Sequence, residues 1–248
     1  MTIPLVAVAH GSKDPRAAAT VTELLSAVRA LNPDVPVHAS FLDHAAPDPA
    51  RVLGRLAADG VSEAVVLPLL LTAAYHSKTD IPGVLAKVRQ ARPRLALRTA
   101  DTLGPSPLLV AALERRLAEA GVPPGDPDTA VVLVSAGSSD AAANATVREL
   151  AAGWRARGWR QVTAAYASAS GPRPDEAVAA LRAGGARRVA VASYFLAPGH
   201  FADKVRRASL AAGADVVSPV LGAAPEIADL VLHRYAETLR ARRRAHAG

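Results

Sequence analysis

The sequence contains no cysteine. Disulfide bridges, thiolate nucleophiles and cysteine-based metal sites are therefore excluded, and any metal chemistry must use histidine, carboxylate or donor atoms carried by a substrate. Aromatic residues are scarce, at 4% of the chain. That scarcity favours helices packed closely on a parallel sheet over an aromatic-rich sandwich. No apolar run reaches the roughly 18 residues that a membrane-spanning helix needs. The start, MTIPLVAVAHGS, lacks a basic region and has too short an apolar run for a signal peptide, so a cytoplasmic location is expected. Neither a Walker motif nor a dinucleotide-binding glycine fingerprint is present. There is no Gly-x-Ser-x-Gly elbow of a serine hydrolase. Zinc-finger spacing and aromatic RNA-binding signatures are absent too, and no nucleic-acid partner is expected.

Half of the 248 residues are hydrophobic, chiefly Ala, Val and Leu. The length suits one large or two modest domains. Lys and Arg number 29 against 22 Asp and Glu, a net charge of +7. Part of the excess lies in the tail from Arg240 to Arg244, which reads as a solvated terminus.

The chain repeats itself with a period of about 125 residues. Ala9–Asp14 corresponds to Ser135–Asp140, and Phe41–Ala50 to Tyr166–Asp175. Val65–Ile81 corresponds to Val189–Lys204, and the turn at Leu103–Pro107 to that at Leu221–Pro225. Four matches in the same order are hard to obtain from alanine-rich composition alone. Each half alternates short apolar runs with amphipathic segments, which predicts strands alternating with helices. In the first half strands are expected at 4–8, 35–41, 64–70 and 95–99, with helices at 14–31, 49–59, 81–92 and 106–120. In the second half strands are expected at 130–135, 161–166, 188–192 and 215–218, with helices at 141–157, 175–183, 202–212 and 225–243. The Pro- and Gly-rich stretch 121–129 reads as the linker. The expected fold class is α/β: two similar doubly wound lobes with four-stranded parallel sheets, spanning 1–121 and 129–248.

Open α/β sheets bind ligands at the carboxyl ends of their strands. Three strands of the first half end in chemically interesting residues there. The first ends at His10, Gly11, Ser12, Lys13 and Asp14. The second ends at Asp43 and His44, and the third at the loop holding Tyr75, His76, Lys78 and Asp80. Neutral imidazole both ligates divalent metals and accepts a proton near neutral pH. His10 and His76 are therefore the candidate catalytic and metal-binding pair, although each also fits an ordinary loop or capping role. Gly11 and Ser12 suit close backbone approach to a carboxylate or phosphate. Lys13, Arg16 and Lys78 are candidate contacts to a polyanion. Asp14 before Pro15 also fits a helix N-cap. Asp43 and His44 are candidate additional ligands or metal carriers.

These residues resemble those of the CbiX/SirB-type sirohydrochlorin chelatases. The resemblance rests on His-Gly-Ser-Lys-Asp-Pro-Arg at 10–16, Phe-Leu-Asp-x-x-x-Pro at 41–47, and Pro-Leu-Leu-Leu-x-x-x-Tyr-His-Ser-x-x-Asp-Ile-Pro at 68–82. It is strong over 3–120 and weaker over 130–232. It implies a type II chelatase fold and insertion of Co2+ or Fe2+ into a reduced, carboxylate-rich tetrapyrrole, with the metal as substrate and no organic cofactor. It also implies that His10 and His76 are the paired active-site histidines. Gly11, Ser12, Lys13, Tyr75, Lys78 and His200 are expected to contact substrate. Leu69, Leu70, Tyr194, Phe195 and Leu196 are candidates to pack on the macrocycle or to belong to the core. The chain departs from the family at Asp43, where Glu is common. In the second half Ala136 replaces the first histidine while His200 matches the second. That half is expected to be a degenerate lobe that closes the cleft over the site of the first. The duplication supplies two lobes within one chain, so a monomer suffices and a homodimer is allowed. A tetrapyrrole- or metal-binding protein of the same fold without turnover is the alternative.

Overall fold

The computed structural model describes residues 2–73 and 79–245, with side chains described through Ala241. The first half holds β1 (Leu5–Ala9), α1 (Pro15–Leu31), β2 (Val37–Phe41), α2 (Pro49–Ala58), β3 (Glu63–Pro68), α3 (Ile81–Ala91), β4 (Ala96–Thr99) and α4 (Pro107–Glu119). The second holds β5 (Thr129–Ser135), α5 (Ala141–Arg155), β6 (Gln161–Tyr166), α6 (Pro174–Ala183), β7 (Arg188–Ser193), α7 (His200–Ala211), β8 (Val216–Val217) and α8 (Pro225–Ala245). All sixteen expected elements are found. No element end shifts by more than two residues; α7 starts at His200, and β8 has only two residues. Pro219, which has no N–H to donate, follows that short strand closely.

Two parallel four-stranded sheets result, ordered β2-β1-β3-β4 and β6-β5-β7-β8. β1 and β5 are entirely buried, as expected of strands covered on both faces. Side chains alternate across the pleat. Val6, Val8, Ala64 and Val66 pack with Val52, Leu53 and Leu56 of α2 and with Ile81, Leu85 and Val88 of α3. The intervening residues of β1 and β3 face the opposite side, where α1 and α8 pack together. The second sheet repeats the first arrangement, with Val132, Val134, Val189 and Val191 against Val178 and Leu181 of α6 and Val205 of α7.

Local capping matches the sequence expectation. Asp14 and Asp48 each precede a proline at the first helical turn and accept N–H bonds from Arg16 (3.0 Å) and Arg51 (2.8 Å). Asp140 does the same for α5 through Ala142 N–H (2.9 Å). At α6, Arg173 stands where α2 has Asp48. There the Glu176 carboxylate reaches back to the Arg173 N–H (2.8 Å), so the orphan donor is satisfied by another route.

The chain divides into two compact units that cut across the expected halves 1–121 and 129–248. One comprises 1–106 together with 223–248, and the other 107–222. Helix α4 therefore belongs with the second sheet and α8 with the first. The cause is where their apolar faces are satisfied. α4 buries Leu109, Leu113 and Leu117 in the second unit, and α8 buries Ile227, Leu230, Val231 and Tyr235 in the first. Among the described residues no helix is long and apolar enough to cross a membrane.

His38, on the edge strand β2, carries a structural liability. Its Nε2 is buried and has no hydrogen-bond partner among the described residues. Burial, then the charges of Arg29 and Arg55, holds its pKa below the usual 6.5. Between that depressed value and 6.5 the unfolded chain binds more protons than the native one, so stability declines as the pH falls through this window. His38→Phe is expected to flatten the change in urea midpoint between pH 7 and pH 5. An unchanged pH dependence would show that His38 does not contribute to it.

Candidate active site

His10 follows the last residue of β1 and is exposed at the carboxyl edge of the first sheet. Its main chain is held tightly. The parallel pairing of β1 with β2 continues past both strands, through Leu42 N–H to Ala9 O (3.0 Å) and Asp43 N–H to His10 O (2.9 Å). His10 Nδ1 lies 3.2 Å from Gly11 O. Because a carbonyl oxygen only accepts, Nδ1 is the donor in that contact.

Gly11 has φ +92°, and a Cβ built on it would lie 1.7 Å from Asp43 O. The sequence suggests a glycine that admits a ligand. The structure shows one that admits the backbone of the neighbouring strand end. Ser12 is a turn residue here, its Oγ accepting the Asp14 N–H (3.1 Å). Lys13 is exposed. Arg16 grips the Asp14 carboxylate through Nε and Nη2, at 3.0 and 2.6 Å. These side-chain bonds, reinforced by the Arg16 N–H, hold the Asp14 carboxyl below the usual carboxylate range. Asp14 and Arg16 are thus occupied in starting α1.

Asp43 and His44 turn to each other. Asp43 Oδ1 accepts the His44 N–H (2.8 Å), and Oδ2 lies 3.1 Å from His44 Nε2. His44 adopts a left-handed backbone, φ 59°. Among the described residues no three His, Asp or Glu side chains converge as a metal site. Tyr75, His76 and Lys78 lie outside the described residues. The chain leading to them leaves β3, which pairs with β1 and runs parallel to it, and Leu69 N–H extends that pairing to Val8 O (2.8 Å).

The second unit reproduces the frame without the histidine. Ala136 takes the place of His10. Gly137, at φ +81°, packs against Ser168 O, where a Cβ would lie at 2.0 Å. Ser168 N–H bonds Ala136 O (2.9 Å), and Ser138 Oγ accepts the Asp140 N–H (3.0 Å). One brace is added. Buried Asn144 accepts the Ser138 N–H (3.0 Å) and donates to Ser138 O (2.7 Å), while Tyr166 OH donates to Asn144 O (2.8 Å). The first repeat has Ala18 and Phe41 at these positions. The sequence signal was an asparagine on the inward face of an alanine-rich helix.

His200 is the first residue of α7, exposed, with its ring packed edge-on against Phe201 at 5.8 Å. Phe201 is a large exposed hydrophobic that the sequence reading did not single out. Leu69 and Tyr194 are buried and belong to the core. Burial raises the Tyr194 phenol well above its usual pKa. Leu70 and Phe195 are half-buried against their respective cores. Strand continuation explains the burial, since Leu69 and Tyr194 each extend a central strand by one hydrogen bond.

Duplicated parallel sheets with an imidazole on a rigid strand end define a two-unit, chelatase-like α/β protein. A family model described as CbiX matches residues 4–120 and again 130–238, and the chain belongs to the CbiX family. It is 28% identical over 196 residues to a sirohydrochlorin cobaltochelatase of Priestia megaterium, covering 77% of this chain and 63% of that relative. It is 27% identical over 201 residues to a sirohydrochlorin ferrochelatase of the same organism, covering 80% of this chain and 75% of the relative. The structure of SirB from Bacillus subtilis with Fe3+ superposes with a TM-score of 0.85 at 25% identity, over 96% of each chain.

Gly11→Ala places a methyl group against the Asp43 carbonyl in a left-handed backbone, and is expected to cost about 2–4 kcal/mol of stability. Gly54 in α2 has open space around the built Cβ, so Gly54→Ala should stabilise by up to about 1 kcal/mol. Denaturant unfolding of the two variants checks both. An undisturbed Gly11→Ala protein would show that the close approach is not needed.

Proposed function

We propose that this protein inserts Co2+ or Fe2+ into sirohydrochlorin, with the metal as a substrate, and that the chemistry rests on the first unit. The observation that carries this reading is the double match to the CbiX model combined with a histidine retained only at the first of the two equivalent strand ends. The two Priestia megaterium relatives carry the cobalt and iron names, and the SirB structure holds Fe3+.

Insertion exchanges two pyrrole N–H protons for one divalent ion, so a base must take up protons while the ion sheds water. His10 is suited to the first task because an imidazole lone pair accepts protons near neutral pH. It is suited to the second because one or two nitrogen donors hold an ion more loosely than a closed four-ligand cage. Its fixed main chain keeps the residue at the sheet edge, where the second unit has Ala136. His76 is the second donor in this reading. Gly11 shapes the turn, and Ser12, Lys13, Tyr75, Lys78 and His200 are the proposed substrate contacts. The same reading carries a cytoplasmic location and a chain for which a monomer suffices and a homodimer is allowed.

The test is anaerobic incubation with sirohydrochlorin and Co2+, Fe2+ or Ni2+ supplied separately, followed by loss of the free macrocycle's absorbance. Turnover is expected with Co2+ or Fe2+. His10→Ala should keep the wild-type circular dichroism spectrum and lose about 100-fold or more in rate. No turnover with any metal, or an unaffected His10→Ala protein, would overturn the proposal.

A further inference from the structure

We propose that the second unit presents an apolar ledge at the carboxyl edge of its sheet, centred on Phe201, that packs on the ring face of the tetrapyrrole, an inference that rests on the chelatase reading above.

The place of Phe201 on its helix does not match its exposure. It lies on α7 four residues before Val205, and so on the same stripe of the helix. Val205 is 2% exposed and belongs to the second core, and Ala212, further along the stripe, packs against that core. Phe201 is 43% exposed. The cause is where the strands stop. α7 begins at the carboxyl edge of the sheet, after β7, whose pairing with β5 ends at the Tyr194 N–H bond to Val134 O (2.8 Å). Helical side chains lean toward the helix N-terminus. The inward stripe therefore carries the Phe201 ring past the last paired residue, where strand side chains no longer cover it. Parallel α/β sheets bind their ligands at this edge.

The surroundings are uncharged. The chain from Phe195 to Gly199 reads Phe-Leu-Ala-Pro-Gly, without a hydrogen-bonding side chain, and all five residues are half-buried. Ala136, at the end of the neighbouring β5, is exposed. Residues 167–171, after β6, are only Ala, Ser and Gly. The charged groups nearby are engaged with the main chain: Asp140 caps α5, and Arg173 Nη1 donates to Ala167 O (2.8 Å). The matching edge of the first unit instead carries His10, Lys13, Asp43 and His44. A carboxylate-rich tetrapyrrole divides in the same way, with charge on its peripheral arms and an uncharged conjugated ring within them. An arm placed on the second edge would lose water without gaining a cation. The flat ring would cover the exposed Phe201 and the apolar residues before it.

Anaerobic titration of the metal-free protein with sirohydrochlorin, followed by the change in the macrocycle's absorbance, tests the ledge without turnover. Phe201→Ala should keep the wild-type circular dichroism spectrum and weaken binding about 10-fold. Phe201→Tyr, which keeps the ring, should bind as the wild type does. The loss should persist at high salt, because no charge pair is removed. In turnover assays the KM for sirohydrochlorin should rise while the KM for the metal stays unchanged. Leu210→Ala removes another exposed apolar side chain near the far end of α7 and should leave binding unaltered. Wild-type affinity in Phe201→Ala, or an equal loss in Leu210→Ala, would overturn the ledge and leave the chelatase reading standing. A wild-type protein that neither binds nor metallates sirohydrochlorin would overturn both.

Discussion

The close approach of the first two strand ends controls the geometry of the candidate site. The Asp43 amide bonds the His10 carbonyl, and the missing Cβ of Gly11 lets the Asp43 carbonyl sit where a methyl group would otherwise be. This contact fixes where the His10 ring leaves the sheet. It also brings the Asp43 and His44 turn beside it. The contact consists of main-chain atoms, so it tolerates changes of side chain around it. Its presence in the second unit at Gly137 and Ser168, next to Ala136, shows that the frame does not require the histidine.

The two units differ in what braces the turn after the first strand of each sheet. In the first, the turn after β1 is followed by Ala18, and Phe41 ends the neighbouring strand. In the second, Asn144 and Tyr166 stitch the same turn to its helix with three hydrogen bonds. A buried polar network of this kind is stabilising when every member is satisfied, and it rigidifies its surroundings. The second turn is braced as a structural element, whereas the first leaves His10 exposed.

Much of this architecture could be read from local pattern. Asp14, Asp48 and Asp140 announce helix starts because capping acts over two or three residues. The strands of β1 and β3 are plain apolar runs, and the order of four repeated motifs sets the topology. Other features depend on partners distant in the chain. Gly11 was recognisable as special, but its partner Asp43 is on another strand, so its role was assigned to a ligand. Leu69 and Tyr194 fitted either the core or a flat macrocycle, and the strand pairing that runs one residue further places them in the core. The repeat itself misdirected the boundaries. It places α4 and α8 with the segments they follow, whereas their apolar faces place them with the other sheet.

The division of the chain has a consequence for biosynthesis. Residues 107–222 form one uninterrupted stretch, while the unit carrying His10 is assembled from 1–106 and 223–248. On a ribosome, where chains emerge from the N-terminus and units fold as they are completed, the later-encoded unit has all its residues first. The unit whose first residues emerge earliest must wait for α8. The unit that carries His10 therefore closes only after the whole of 107–222 has emerged.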